Sequence, residues 1–83
     1  MFVTNDPEAP ATAFPPFASL RAFEALVRLG GVRKAARHLN LHYSVVSRHI
    51  ARLETWLGVP LLTWSQNQFT LTEEGAEYFA RIA

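Results

Sequence analysis

No cysteine occurs among the 83 residues, so neither disulfides nor thiolate metal sites can staple the fold. No apolar run approaches the roughly 18 residues that span a bilayer, and the N-terminus lacks the charged start and apolar stretch of a signal peptide. These absences point to a cytoplasmic protein with no membrane partner. There is no glycine-rich phosphate loop and no nucleophile elbow. His38 and His42 have the four-residue spacing of a helical metal pair, but a turn separates them and no clustered carboxylates complete a ligand set. The chain is therefore expected to be no enzyme and to need neither cofactor nor metal. The most informative absence is local. Residues 28 to 53, RLGGVRKAARHLNLHYSVVSRHIARL, contain not one Asp or Glu.

What fills that stretch is positive charge. Arg28, Arg33, Lys34, Arg37, Arg48 and Arg52 are six of the eight basic residues, and His38, His42 and His49 are all the histidines. The stretch carries +6, while the remainder, with two bases and seven acids, carries −5; the net charge of +1 conceals this asymmetry. Charge gathered this way points to a polyanionic partner better than the overall pI does. With 49% apolar residues the chain should fold, and its length allows one domain with a modest core.

Residues 1–16 are set apart by four prolines (Pro7, Pro10, Pro15, Pro16) and by the lack of any periodic apolar pattern. They read as a flexible, acidic arm that DNA would repel, ending where Pro16 opens the first helix. Phe17, Leu20, Phe23, Leu26 and Val27 then recur at helical spacing, and Gly30-Gly31 stops that helix. Val32, Ala35, Ala36 and Leu39 mark a second, short helix. Val46, Ile50, Leu53 and Leu57 mark a third, which ends at Gly58 with Pro60 just beyond. Only Asn40, Leu41 and His42 separate the second from the third. Asn tolerates the left-handed conformation of a tight turn, and Leu41 is expected to plug the angle between the helices. Two short helices joined in this way form a helix-turn-helix.

Placing the third helix at 100° per residue sharpens its role. Ile50, Leu53 and Leu57 fall within about 40° of Val46 and define a buried stripe. Ser44, Ser47, Arg48, Ala51, Arg52 and Thr55 fan across roughly 100° to 240°, a face of hydroxyls and guanidinium groups with no carboxylate. The helix's only acid, Glu54, lies on the flank beside the buried stripe. The helix N-terminus would add backbone N–H groups and a positive dipole, both favourable to phosphate.

The spacing Leu20-x-x-Phe23, Gly30, Ala35-Ala36-x-x-Leu39, Ser44-x-Val46-Ser47-x-x-Ile50-x-x-Leu53-Glu54-x-x-Leu57-Gly58, Pro60-Leu61-Leu62 and Leu71-Thr72-x-x-Gly75 runs without a gap. Over residues 17 to 83 it resembles the N-terminal domain of LysR-type transcriptional regulators. The resemblance implies a mainly α winged helix-turn-helix: a three-helix core, a β-hairpin wing and the start of a C-terminal linker helix. It also implies double-stranded DNA as the partner, with recognition helix 43–57 in the major groove, and a homodimer formed through the C-terminal helix of the full-length protein. On this basis residues 17–71 form the DNA-binding domain and residues 72–83 begin the dimerisation helix. The site would comprise Arg33, Lys34 and Arg37 as phosphate clamps and His42, Tyr43, Ser44, Ser47, Arg48 and Arg52 at the recognition helix. Gln66 and Asn67 would lie on the wing.

Two departures from the family pattern bear on specificity. His42-Tyr43 stands where members usually place Thr-Gln, and a tyrosine hydroxyl cannot read adenine through N6 and N7 as Gln does. TWSQNQFT stands where the family spreads several arginines, so this wing can donate hydrogen bonds to phosphate while releasing few counterions. Strands are expected around Leu61–Trp64 and Gln68–Leu71, joined by Ser65-Gln66-Asn67, with Trp64 buried against the hairpin or a second subunit. Thr72 suits the N-cap of the last helix, whose apolar face would be Ala76, Phe79, Ala80 and Ala83. His42 and His49 predict DNA binding that strengthens as pH falls from about 7.5 to 6, with His49 the larger contributor if it faces the DNA backbone. The rival reading is a helix-turn-helix turned to protein–protein interaction, which the uncharged wing, Trp56 and Trp64 would suit.

Overall fold

The computed structural model describes residues 15–66 and 68–83; most of the sequence-defined arm (residues 1–14) and Asn67 lie outside the described residues. Three helices, α1 (Phe17–Leu29), α2 (Val32–Leu39) and α3 (Tyr43–Leu57), precede a hairpin of β1 (Leu62–Ser65) and β2 (Gln68–Leu71). A final helix, α4 (Glu73–Ile82), follows the hairpin. The fold is a winged helix-turn-helix. Pro16 stands just outside α1 as its N-cap residue, and its carbonyl accepts the Ser19 and Leu20 amides. Gly30 ends α1 in the left-handed region (φ 88°), and its amide donates to Leu26 O.

The core lies where α1, α2 and α3 meet and is closed by Leu61 and Leu62 at the base of the wing. Phe23, Leu26, Val46, Leu53 and Leu61 are fully enclosed. The buried face of α1 is Ser19, Ala22, Phe23, Ala25 and Leu26, which differs from the expected stripe. Phe17 is 72% exposed, while Leu20 and Val27 are only half-buried. α1 packs on both other core helices, and small side chains are what permit backbones to approach on two sides. Ser19 Oγ is buried with no hydrogen-bond partner among the described residues.

Asn40 adopts the left-handed conformation (φ 60°, ψ 45°), as its side-chain type predicts, and its amide returns to the last carbonyls of α2. The neighbouring Leu41 amide donates to Ala36 O at 2.9 Å. Leu41 does not plug the interhelical angle: it is 40% exposed, and buried Ala35, Ala36 and Val46 supply the apolar contact instead. With two alanines on α2 the helices come close enough to leave no room there for a leucine side chain.

The strands pair antiparallel with Leu62 opposite Leu71 and Ser65 opposite Gln68, so β1 starts one residue later than expected and Ser65 belongs to the strand, not to the turn. Gln66 takes φ 52°, the positive φ that a two-residue hairpin turn demands. Trp64 is not buried against the hairpin. It remains 52% exposed, with its ring edge-on to Phe69 across the strands at 6.0 Å.

Helix α4 returns to α1. Its packed side is Gly75, Tyr78, Phe79 and Ile82, with Tyr78 and Phe79 set against Phe23 at ring-centroid distances of 6.1 and 6.3 Å. Ala76, Ala80 and Ala83, three of the four residues expected on that side, face outward. The stripe is rotated by one residue, roughly 100°. A methyl group cannot reach across to Phe23 as Tyr78 does, Ile82 adds a further side chain packed on the core, and the larger apolar area decides the rotation.

Candidate nucleic-acid interface

On α3, Val46, Ile50 and Leu53 are buried, while Ser44, Ser47, Arg48, Ala51, Arg52 and Thr55 are exposed. Periodicity alone produced that division, and it leaves the outward face without a carboxylate. Arg33, Lys34 and Arg37 are exposed on α2. No carboxylate among the described residues pairs with these three or with Arg48 and Arg52; the ion pairs found there belong to Arg28 and Arg81. Gln66 is exposed in the wing turn, and Asn67 lies outside the described residues.

Arg28 does not join this set. Its guanidinium forks onto Glu24, one turn earlier on α1, at 2.7 and 3.1 Å, and approaches His38 Nε2 at 3.5 Å. The hydrogen bond from Arg28 holds the Glu24 carboxyl below its usual range against an opposing effect of burial, and the same pair raises Arg28. The acid-free stretch is acid-free only along the chain: in space, Glu24 reaches its first member.

The start of α3 is built unusually. His42 is the N-cap residue, a position normally held by Ser, Thr, Asp or Asn. Its Nδ1 accepts the Ser44 backbone N–H at 3.2 Å and lies 2.8 Å from Ser44 Oγ. With Nδ1 accepting, the neutral ring carries its proton on Nε2. The imidazole stacks on Tyr43 (4.6 Å between centroids, 27° between planes), and the Arg33 guanidinium carbon sits over the Tyr43 ring at 4.3 Å. Arg33, His42, Tyr43 and Ser44, expected at the site from different arguments, thus form one cluster. His49, half-buried on the flank of α3, is set apart from this cluster. Partial burial first, then the charges of Arg52 and Arg48, pull its imidazole below the ordinary value.

Two supporting residues, Glu54 and Gly75, were not anticipated in these roles, whereas Thr72 caps the last helix as expected. Glu54 Oε2 accepts the Leu61 amide at 2.7 Å and the Leu62 amide at 3.3 Å, tying the wing to the helix. Thr72 caps α4 by accepting the Gly75 amide at 2.9 Å, and its hydroxyl also donates to Pro60 O at 2.8 Å. Gly75 meets Leu61 so closely that an added Cβ would collide with the Leu61 carbonyl. The available signal was the lone acid on α3 and the Thr72-x-x-Gly75 spacing, both already visible as pattern.

Residues 17–76, nearly the whole of this architecture, match the bacterial regulatory helix-turn-helix proteins of the lysR family. The chain belongs to that family. Similar proteins include the HTH-type transcriptional regulator CrgA of Neisseria meningitidis serogroup C, 47% identical over 62 residues, which are 75% of this chain and 21% of CrgA. The chain spans about a fifth of the length of the curated relatives it matches. Among solved structures, a CbnR_DBD-DNA complex superposes with TM-score 0.75 at 30% identity, covering 80% of this chain and 76% of that one. A BenM_DBD/benA site 1 DNA complex gives 0.73 at 32% identity, covering 80% and 77%. Among the described residues no helix is long and apolar enough to cross a membrane.

Proposed function

We propose that this domain binds double-stranded DNA as the DNA-binding part of a LysR-type transcriptional regulator, with α3 in the major groove. The observation that carries the reading is the exposed, carboxylate-free face of α3 in a fold shared with two solved protein–DNA complexes. Arg48, Ser44 and Ser47 read base edges, with Arg52 beside them on the same face. Lys34 and Arg37 neutralise phosphates where the preceding helix crosses the backbone, and Arg33 joins them at the N-terminal end of α3. His42 and Tyr43 shape that end, while Gln66 and Asn67 meet the backbone from the wing. Residues 17–71 are the DNA-binding unit and residues 72–83 lead into a dimerising helix. Two copies would occupy half-sites a whole number of helical turns apart, in the cytoplasm where a bacterial regulator meets its chromosome.

The test is duplex binding across salt concentrations for the parent and for Arg48→Ala and Lys34→Ala. Log affinity should fall linearly with log salt. Arg48→Ala should weaken a preferred duplex by about 1–3 kcal/mol and relax its discrimination. Lys34→Ala should weaken all duplexes alike and reduce the salt slope by about one. Salt-independent or absent duplex binding would favour a protein partner instead.

A further inference from the structure

Arg33 is the second residue of α2 and Tyr43 the first residue of α3, so their contact bridges the two halves of the helix-turn-helix. Its guanidinium carbon lies 4.3 Å from the centroid of the Tyr43 ring. Attraction between a guanidinium and an aromatic face persists at exposed sites, and Tyr43 is 43% exposed. The ring is itself held: His42 stacks on it, and His42 in turn is fixed through Nδ1 to the Ser44 amide. The stack therefore restrains Arg33 from the recognition-helix side. A long side chain restrained before binding loses less rotamer freedom on binding. No carboxylate among the described residues competes for its N–H groups. Lys34 and Arg37 have no such aromatic seat among the contacts found in the described residues.

We propose that Tyr43 is a positioning residue that seats Arg33 against the first turn of α3, so that Arg33 engages DNA as part of the recognition helix and not as an independent clamp. The planar fork of a guanidinium matches a paired acceptor, which on duplex DNA is the O6/N7 edge of guanine or two oxygens of a phosphate. The inference rests on the DNA-binding reading above. It also gives the His42-Tyr43 pair, which departs from the usual Thr-Gln, a role in specificity that needs no base contact from the tyrosine hydroxyl.

The test uses the 83-residue chain, a duplex that the parent selects from a random pool, and a shuffled duplex of the same composition. Arg33→Ala should weaken binding on the order of tenfold. Tyr43→Leu should lose most of the same factor, and the double variant should be no worse than the larger single loss. Tyr43→Phe, which keeps the ring, should stay within about twofold of the parent, and Arg33→Lys should lose the paired contact to DNA because an ammonium lacks the planar fork. A loss confined to the selected duplex assigns guanine as the acceptor. An equal loss on both duplexes, with a salt slope lower by about one, assigns phosphate. Losses that multiply in the double variant, or a Tyr43→Phe loss as large as that of Tyr43→Leu, overturn the proposal while leaving DNA binding intact. A parent that binds neither duplex at low salt overturns the DNA-binding reading and this inference together. Tyr43→Phe and Arg33→Lys alone decide the matter if Tyr43→Leu melts in circular dichroism.

Discussion

The carboxylate of Glu54, the only acid on α3, accepts the backbone amides of Leu61 and Leu62 at 2.7 and 3.3 Å, so one side chain couples the helix to the first residues of the wing. Both leucines are buried, which leaves their N–H groups without ready access to water as a substitute. Glu54→Ala should therefore destabilise the domain by about 1–3 kcal/mol, the cost of stranding buried donors. Glu54→Gln, which keeps an acceptor oxygen, should recover part of the loss. Urea denaturation measures both, and amide exchange at Leu61 and Leu62 should quicken in Glu54→Ala before exchange in the core of α3 does.

Gly75→Ala reverses the usual helix rule. At an open helical position the change gains up to about 1 kcal/mol. Here the new methyl would meet the Leu61 carbonyl, which is backbone and cannot swing aside. The expected outcome is a loss of about 1–3 kcal/mol, typical of overpacking. A thermal melt in which Gly75→Ala equals or exceeds the parent would show that α4 can lift away from Pro60 and Leu61.

His42 caps α3 through Nδ1. Removing an N-cap acceptor costs about 1 kcal/mol. His42→Ala should lower the midpoint of unfolding accordingly, and His42→Asn or His42→Ser should restore it, because both offer an oxygen to the Ser44 amide. A His42→Ala melt matching the parent would mean that water satisfies that amide as well as the imidazole does.

The lowered pKa of His49 sets a pH dependence of stability whose sign is fixed. In the unfolded chain the imidazole titrates near 6.5. In the fold, burial and the adjoining arginines disfavour the cation. As pH falls through about 6.5 the unfolded state takes up the proton first, so stability is full above that value and declines toward the lower folded-state value. Glu24, whose folded value lies below 4.5, loses its contribution only at more acidic pH. Comparing urea midpoints at pH 7.5 and 5.5, the parent should lose more than His49→Gln. Equal losses would show that His49 feels no net penalty on charging.

The local architecture of the domain was legible in the sequence because its signals are local. The helical period separated Val46, Ile50 and Leu53 from Ser44, Ser47, Arg48 and Arg52, and the structure keeps that division. Asn40 and Gly58 sit in the left-handed conformations that their residue types favour at helix ends. The acid-free face of α3 needed no tertiary information, because the side of a helix on which a residue lies follows from its place in the repeat. Family spacing added the wing, which a four-residue strand pattern alone signals weakly.

Only the tertiary structure decided which neighbour each face meets. The α4 stripe came out rotated toward Tyr78 and Ile82, and α1 buried Ser19 while leaving Phe17 in solvent, because reach and available room depend on the opposing helix. The same holds for the contacts that assemble the site. Glu24 with Arg28 obeys a one-turn rule and was open to anticipation. Glu54 with Leu61, Gly75 with Leu61, and Arg33 with Tyr43 join residues seven to fourteen positions apart across turns. Their partners are set by how the chain folds back, and no repeat in the sequence encodes that distance.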